Sequence, residues 1–243
     1  MKKIILKILL VFFILLFIYS LVNIIIWVID TGKTDEQIKN IQEIANVIDT
    51  QSTENKNELK INFSELENIN PDVVGWIKVN GTNINYPFVQ AENNDFYLDH
   101  SFDKSYNKAG WVFLDYRNNE EKLDKNMILY AHNRQDGTMF ETLKNAIDEK
   151  WQSEEENLEI QMYLKDKILK YRVFSVYIIP NTDDYLAVNF NTDNDFQAFI
   201  NKIKSRSIKD FEINVDTNDN ILTLSSCYIN SQRRIVVHAK LIK

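Results

Sequence analysis

The sequence predicts a mainly β domain, a barrel or sandwich with inserted helices, standing behind one membrane-spanning helix. Three observations predict it. Residues 8–29 form an apolar run without a single charge. From residue 73 onward, about eight short segments rich in Val, Ile, Leu and aromatic residues follow one another, mostly through short connections. Helical patterns are few, so the regular strand–helix alternation of a parallel α/β sheet is absent.

The apolar run comes first. Roughly 20 residues at about 1.5 Å each cross a hydrocarbon core of about 30 Å, and Ser20 and Asn23 are the only clearly polar members of the run. Lys2, Lys3 and Lys7 precede it and Asp30 follows. Positive charge stays inside, which predicts a single-pass protein with a cytoplasmic N-terminus and residues 31–243 outside the cell membrane. A cleaved signal peptide would carry a shorter apolar stretch of about 7–15 residues and a small-x-small cleavage site; IIIWVIDTGK offers none. Trp27, near the outer end, suits a membrane interface.

Residues 34–50 place Ile38, Ile41, Ile44 and Ile48 on one helical face, with Thr34 as the expected cap. The polar stretch QSTENKNELK reads as a linker, and a short helix is expected from Phe63 to just before Pro71. The organisation is thus 1–30 cytoplasmic N-terminus and anchor, 31–62 helical and linker segment, and 63–243 folded domain. Expected strands are 73–79 and 84–89 around the turn signal Asn80-Gly81, then 111–116, 127–132, 158–164, 168–179, 221–227 and 234–242. Helices are expected at 138–147, within 149–156, and at 194–205, where Phe196, Phe199, Ile200 and Ile203 share a face.

Composition narrows the function. The net charge is −7, and without residues 1–30 it is −9, so the domain repels phosphate backbones and nucleic acid is excluded as a partner. A single cysteine rules out a disulfide within the chain. An external domain must then hold without covalent staples, and its lone thiol is buried and inert, paired with another chain, or reactive. No cofactor is indicated. The three histidines are scattered, one cysteine builds no thiolate cluster, and no zinc spacing occurs, so no metal is expected. Glu154-Glu155-Glu156 lacks an EF-hand context and reads as a solvated helix end.

Cys227 ends the apolar strand ILTLSS and precedes the polar loop YINSQ, a place where a rigid sheet can present a thiol to a cleft. Its bland alternative is a buried small hydrophobe. His132 ends MILYA and opens HNRQDGTMF, where an imidazole can reach substrate and titrate near neutrality. His238, inside VVHAKL, reads as structural, and His100 is an unconvincing base whose loop can border a cleft. Arg233 and Arg234 open the last strand. Cysteine acyl transfer needs a nucleophile, a proton carrier and positive density at the oxyanion. A guanidinium supplies that charge and also lowers a nearby thiol pKa. If the last two strands are antiparallel neighbours, their short loop brings the thiol and an arginine together.

The segments LYAHNRQDGTMF, LTLSSC and RIVVHAKLI resemble the sortases, specifically those of class B. TLSSC is similar to the family's TLxTC signature, with Ser226 in place of Thr. The family's arginine sits five residues before a small residue of the last strand, and counting back from Ala239 gives Arg234 rather than Arg233. The resemblance covers roughly residue 63 to the C-terminus and implies a sortase-type eight-stranded β-barrel with residues 63–243 as the catalytic domain. It implies a Gram-positive cell-wall transpeptidase in which Cys227 attacks the Thr carbonyl of a C-terminal sorting signal on a surface protein. A thioacyl enzyme forms, and an amine of peptidoglycan or of its lipid-linked precursor resolves it. His132 serves as proton carrier and Arg234 as oxyanion stabiliser. By the same resemblance Asn94, Leu98, Tyr185, Leu186 and Ser225 line the sorting-signal groove. Ile229 stands where some relatives have an acidic residue, which favours a Cys-His-Arg set over an acid-assisted triad. Two alternatives remain: another Cys-His hydrolase or transpeptidase, whose usual motifs around the cysteine are missing here, and a non-catalytic membrane-anchored binding module.

Overall fold

The structure, a computed structural model, describes residues 2–44, 59–228 and 230–242, with side chains throughout these except at 227–231. Lys2–Ile44 form one continuous helix, α1. The expected break between anchor and amphipathic helix is absent. No proline lies between them, and the one glycine there, Gly32, costs a helix interior only about 1 kcal/mol. Thr34 consequently does not cap; its hydroxyl donates to the carbonyl of Asp30 at 2.8 Å. Among the described residues α1 is the one helix long and apolar enough to cross a membrane, and none of its most apolar stretch is buried. Its last turns dock on the folded domain: Thr34 and Ile41 are buried, and Ile38 and Ile44 pack against the core. Ile48 and most of the expected linker lie outside the described residues.

Helix α2 (Phe63–Ile69) is capped by Asn62, whose side-chain oxygen accepts from the Glu65 amide. Eight strands follow: β1 Val73–Val79, β2 Asn85–Val89, β3 Phe113–Leu114, β4 Asn126–Ala131, β5 Glu159–Leu164, β6 Ile168–Pro180, β7 Ile221–Tyr228 and β8 Asn230–Leu241. They close into a barrel in the order β1-β2-β3-β4-β7-β8-β6-β5. Closure is thinnest at β3, where Phe113 pairs with Val89 of β2, and Phe113 and Leu114 pair with Tyr130 and Leu129 of β4. The Asn80-Gly81 signal holds: β1 and β2 pair antiparallel, and Gly81 takes φ +68°.

Two expectations shrink. The strand expected at 111–116 pairs only over Phe113–Leu114, because the Asp115 side chain turns back to accept from the Arg117 amide. The helix expected at 138–147 is a 3₁₀ helix over Glu141–Ile147, and α3 occupies Glu149–Ser153. Helix α4 (Asp193–Ser205) starts with a capping box, Thr192 with Asp195, and buries Phe196, Phe199, Ile200 and Ile203. That face covers the outside of the barrel at Phe174, Tyr177 and Val236. The larger cluster fills the interior around Trp76, Ile77, Phe88, Leu129 and Met162.

Candidate active site

Strand register alone gathers the three chemistry-bearing residues. β4 and β7 run parallel with Ala131 opposite Ser226, so His132 and Cys227 are the next residues along two adjacent chains. β7 and β8 run antiparallel with Cys227 opposite Arg234. In the barrel β7 lies between β4 and β8. His132 and Arg234 therefore flank Cys227, each about one strand spacing, roughly 4.8 Å, away along the sheet. The Ser226 hydroxyl donates to the Ala131 carbonyl at 2.8 Å and ties the ends of β4 and β7 together.

The His132 ring is oriented by the loop opposite: Nε2 lies 2.7 Å from the Leu98 carbonyl oxygen. A carbonyl only accepts, so Nε2 carries a proton in both charge states of the ring. Nδ1 is then the nitrogen that gains and loses one. Gly110, at φ +61°, permits this close approach. A Cβ there would meet the Tyr97 oxygen at 2.6 Å, the Leu98 oxygen at 2.8 Å and His132 Cδ2 at 3.0 Å.

A cleft of about 460 Å³ opens at this end of the barrel. His132 and Arg234 line it, and so do all five residues expected at a groove: Asn94, Leu98, Tyr185, Leu186 and Ser225. Asn94 and Leu98 belong to the segment after β2, Tyr185 and Leu186 to the segment after β6. Leu98 is exposed, whereas Tyr185 is almost wholly buried, its hydroxyl 2.9 Å from Ser225 Oγ. Arg234 is partly buried; Arg233 is exposed, lies opposite Pro180, and is not among the cleft residues. Ile229 lies outside the described residues. His100 stacks on Phe96 at 4.1 Å between ring centres and is likewise absent from the cleft lining.

The sequence reading missed a buried carboxylate behind the cleft. Asp115 is fully buried and accepts from Arg117 Nε at 2.8 Å, Arg117 Nη2 at 2.7 Å, Tyr130 Oη at 2.8 Å and Asn94 Nδ2 at 3.1 Å. Burial alone pushes its pKa up, but the bonds from Arg117, Tyr130 and Asn94 outweigh burial and hold the carboxyl below the usual range. Burial pushes the Tyr130 hydroxyl pKa well up, and the neighbouring carboxylate adds to the rise. Arg117 Nη2 also donates to the Leu186 carbonyl at 3.0 Å.

His238 is fully buried in a chain of hydrogen bonds across four strands. Thr223 Oγ1 donates to Asn126 Oδ1 at 2.6 Å, so it accepts from His238 Nδ1 at 2.8 Å; Tyr177 Oη then donates to His238 Nε2 at 2.7 Å. This network suits the neutral ring, and burial pulls the pKa of His238 down to about 3.

Comparison with known proteins places this geometry. A family model described as a Sortase domain matches residues 77–242. Sortase B of Staphylococcus aureus (strain NCTC 8325 / PS 47) is 34% identical over 245 residues, covering 98% of this chain and 96% of that protein. Among solved structures, a Staphylococcus aureus sortase B–substrate complex aligns with a TM-score of 0.77 at 32% identity, over 88% of this chain and 99% of that one. A sortase B complexed with triglycine aligns with the same TM-score, identity and coverage. An eight-stranded barrel, a cleft at the ends of β4, β7 and β8, and relatives matching nearly the full length lead to one conclusion: this chain belongs to the sortase family of transpeptidases and is of the class B type.

Proposed function

We propose that this chain is a membrane-anchored cysteine transpeptidase that cuts a C-terminal sorting signal after its Thr and joins the surface protein to a peptidoglycan amine. The observation that carries the reading is the register of β4, β7 and β8, which sets His132 and Arg234 on either side of Cys227 at the cleft. The S. aureus complex with substrate and the sortase B complex with triglycine support a peptide donor and an amine acceptor for this cleft as well.

In this mechanism the Cys227 thiolate attacks the Thr carbonyl carbon, and the carbonyl electron pair moves onto oxygen. The Arg234 guanidinium stabilises that oxyanion. Collapse expels the amine of the downstream residue, which takes the proton from His132 Nδ1 and leaves a thioester. The incoming amine attacks the thioester carbon, His132 Nδ1 accepts its proton, and the thiolate departs. Asn94, Leu98, Tyr185, Leu186 and Ser225 hold the sorting signal. The apolar stretch of α1 anchors the chain with its N-terminus in the cytoplasm; 1–30 is the anchor portion, 31–62 the helical and linker segment, and 63–243 the catalytic domain. The acceptor is an amine of peptidoglycan or of its lipid-linked precursor.

The test uses the full chain in detergent with a library of Pro- and Thr-containing sorting-signal peptides and triglycine. Mass mapping of the products locates the cut and detects ligation. We expect cleavage after Thr, a peptide–triglycine product, and a thioester adduct on the enzyme. Loss of all three is expected in Cys227→Ala with the fold retained. Turnover retained by Cys227→Ala would remove the mechanism.

A further inference from the structure

The two walls of the cleft are not neighbours in any sheet. One is the segment around Asn94 and Leu98, the other the segment around Tyr185 and Leu186. A side-chain hub joins them from behind. The Asp115 carboxylate receives Asn94 from the first wall and Tyr130 from the floor, the residue before Ala131. It also receives both side-chain arms of Arg117, whose Nη2 reaches on to the Leu186 carbonyl of the second wall. The Asn94 side-chain oxygen in turn accepts from the Tyr116 amide, so the Asn94 side chain is held at both ends. A buried carboxylate with this many donors is fixed in place, because each lost donor leaves part of a charge unsatisfied.

We propose that Asp115 and Arg117 are positioning residues that set the separation of the two cleft walls before any peptide arrives. The proposal rests on the reading of this cleft as the sorting-signal groove. An ion pair that served stability alone would have no need of arms ending on opposite walls. Arg117 is the more informative position, because its side chain is 41% exposed and its removal empties no core space. A lysine keeps the charge but loses the planar fork that grips the carboxylate twice and still reaches Leu186.

The experiment has two arms on the full chain in detergent. In the first, spin labels are placed through Glu92→Cys and Asp183→Cys in a Cys227→Ala background, and the label distance is measured without ligand. We expect a narrow distribution that broadens with Arg117→Met. In the second, peptide KM and kcat, melting temperature, and iodoacetamide alkylation of Cys227 without peptide are measured for Arg117→Met, Arg117→Lys and Asp115→Asn. Arg117→Met is expected to raise KM by about tenfold, the loss typical of a charge-assisted hydrogen bond. Its kcat and alkylation rate should stay near wild type, while its melting temperature should fall, because the buried Asp115 carboxylate loses two of its donors. Arg117→Lys should recover only part of KM, and Asp115→Asn should raise KM further while also lowering the melting temperature. An unchanged label distance overturns the positioning role. So does a KM that stays put, or one that moves in step with alkylation. A label distance that responds in a chain with no transfer to triglycine overturns the groove assignment and leaves the joined walls standing.

Discussion

His132 Nε2 sits 2.7 Å from the Leu98 carbonyl oxygen, so the wall of the cleft itself holds the imidazole in one orientation. The contact depends on Gly110. Its φ of +61° is a left-handed conformation, and a Cβ would lie 2.6 Å from one carbonyl oxygen and 2.8 Å from another. We expect Gly110→Ala to cost about 1–3 kcal/mol of stability and to displace His132 as well. Transfer should fall by at least about tenfold at saturating peptide, while His132→Ala should cost several orders of magnitude, at least the roughly 10²–10⁴-fold of a lost acid–base group. Thermal melts and single-turnover rates on the folded variants check both. A Gly110→Ala chain with unaltered turnover would show that the ring needs no such brace.

Cys227 and Arg234 are direct partners across β7 and β8, and Arg233, one residue earlier, lies opposite Pro180 away from the cleft. Loss of one oxyanion donor typically costs about 10²–10³-fold in kcat. Arg234→Lys should fall in that range, since charge remains but the fork is gone. Arg233→Ala should change kcat/KM by less than about threefold. The measurement is kcat/KM for peptide and triglycine with each variant, and the reverse ranking would assign the oxyanion role to Arg233.

Much of this site was legible in the chain because His132 and Cys227 stand at or near strand ends. Apolar runs stopping at Ala131 and Ser226 mark the ends of β4 and β7 to within two residues, but β8 begins at Asn230 rather than at the expected 234, so Arg234 lies inside a strand instead of opening one; register then places His132, Cys227 and Arg234. His238, enclosed by strand residues, is buried as its surroundings suggested. The hub was not legible. Asp115 falls in the strand expected at 111–116 and Arg117 just past it, where neither signals a site, and their partners are residues 94, 130 and 186. Only barrel closure brings those together, and no local pattern encodes it. The capping signal at Thr34 misled for a different reason: an uninterrupted helix running from the apolar stretch makes a cap unnecessary.

The loop that begins at His132 is braced against α1. Asp136 accepts from Arg134 Nε at 2.8 Å and from the Thr138 amide and hydroxyl, and Arg134 Nη2 reaches Thr31 Oγ1 at 3.0 Å. Thr31 lies two residues past the apolar run, so the loop carrying the imidazole rests beside the stretch of α1 that follows its apolar part. Asp136→Asn removes the charge from a largely buried ion pair and should destabilise by about 1–3 kcal/mol. Transfer should drop more than melting predicts, because the loop sets His132. Thr31→Ala should show a smaller loss of the same kind. The check is turnover at a temperature far below each variant's melting point, where equal activities would separate the brace from catalysis.

The neutral His238 ring fits its bonds to Tyr177 and Thr223, and its folded-state pKa is pulled down to about 3, below the ordinary value of 6.5. Between those values the unfolded chain binds a proton that the folded chain refuses, so stability rises with pH there. The contribution is complete above about pH 6.5 and is lost as pH falls toward about 3, at up to about 1.4 kcal/mol per pH unit. Near pH 5 the loss from this one residue is about 2 kcal/mol. The depressed carboxyls of Asp115 and Asp136 add their own losses only lower, below the ordinary carboxylate range. Denaturant melts from pH 7.5 to 4.5 should therefore show a slope that His238→Asn flattens, even though that variant is less stable at pH 7. A wild-type slope that persists unchanged in His238→Asn would assign the acid sensitivity to other groups.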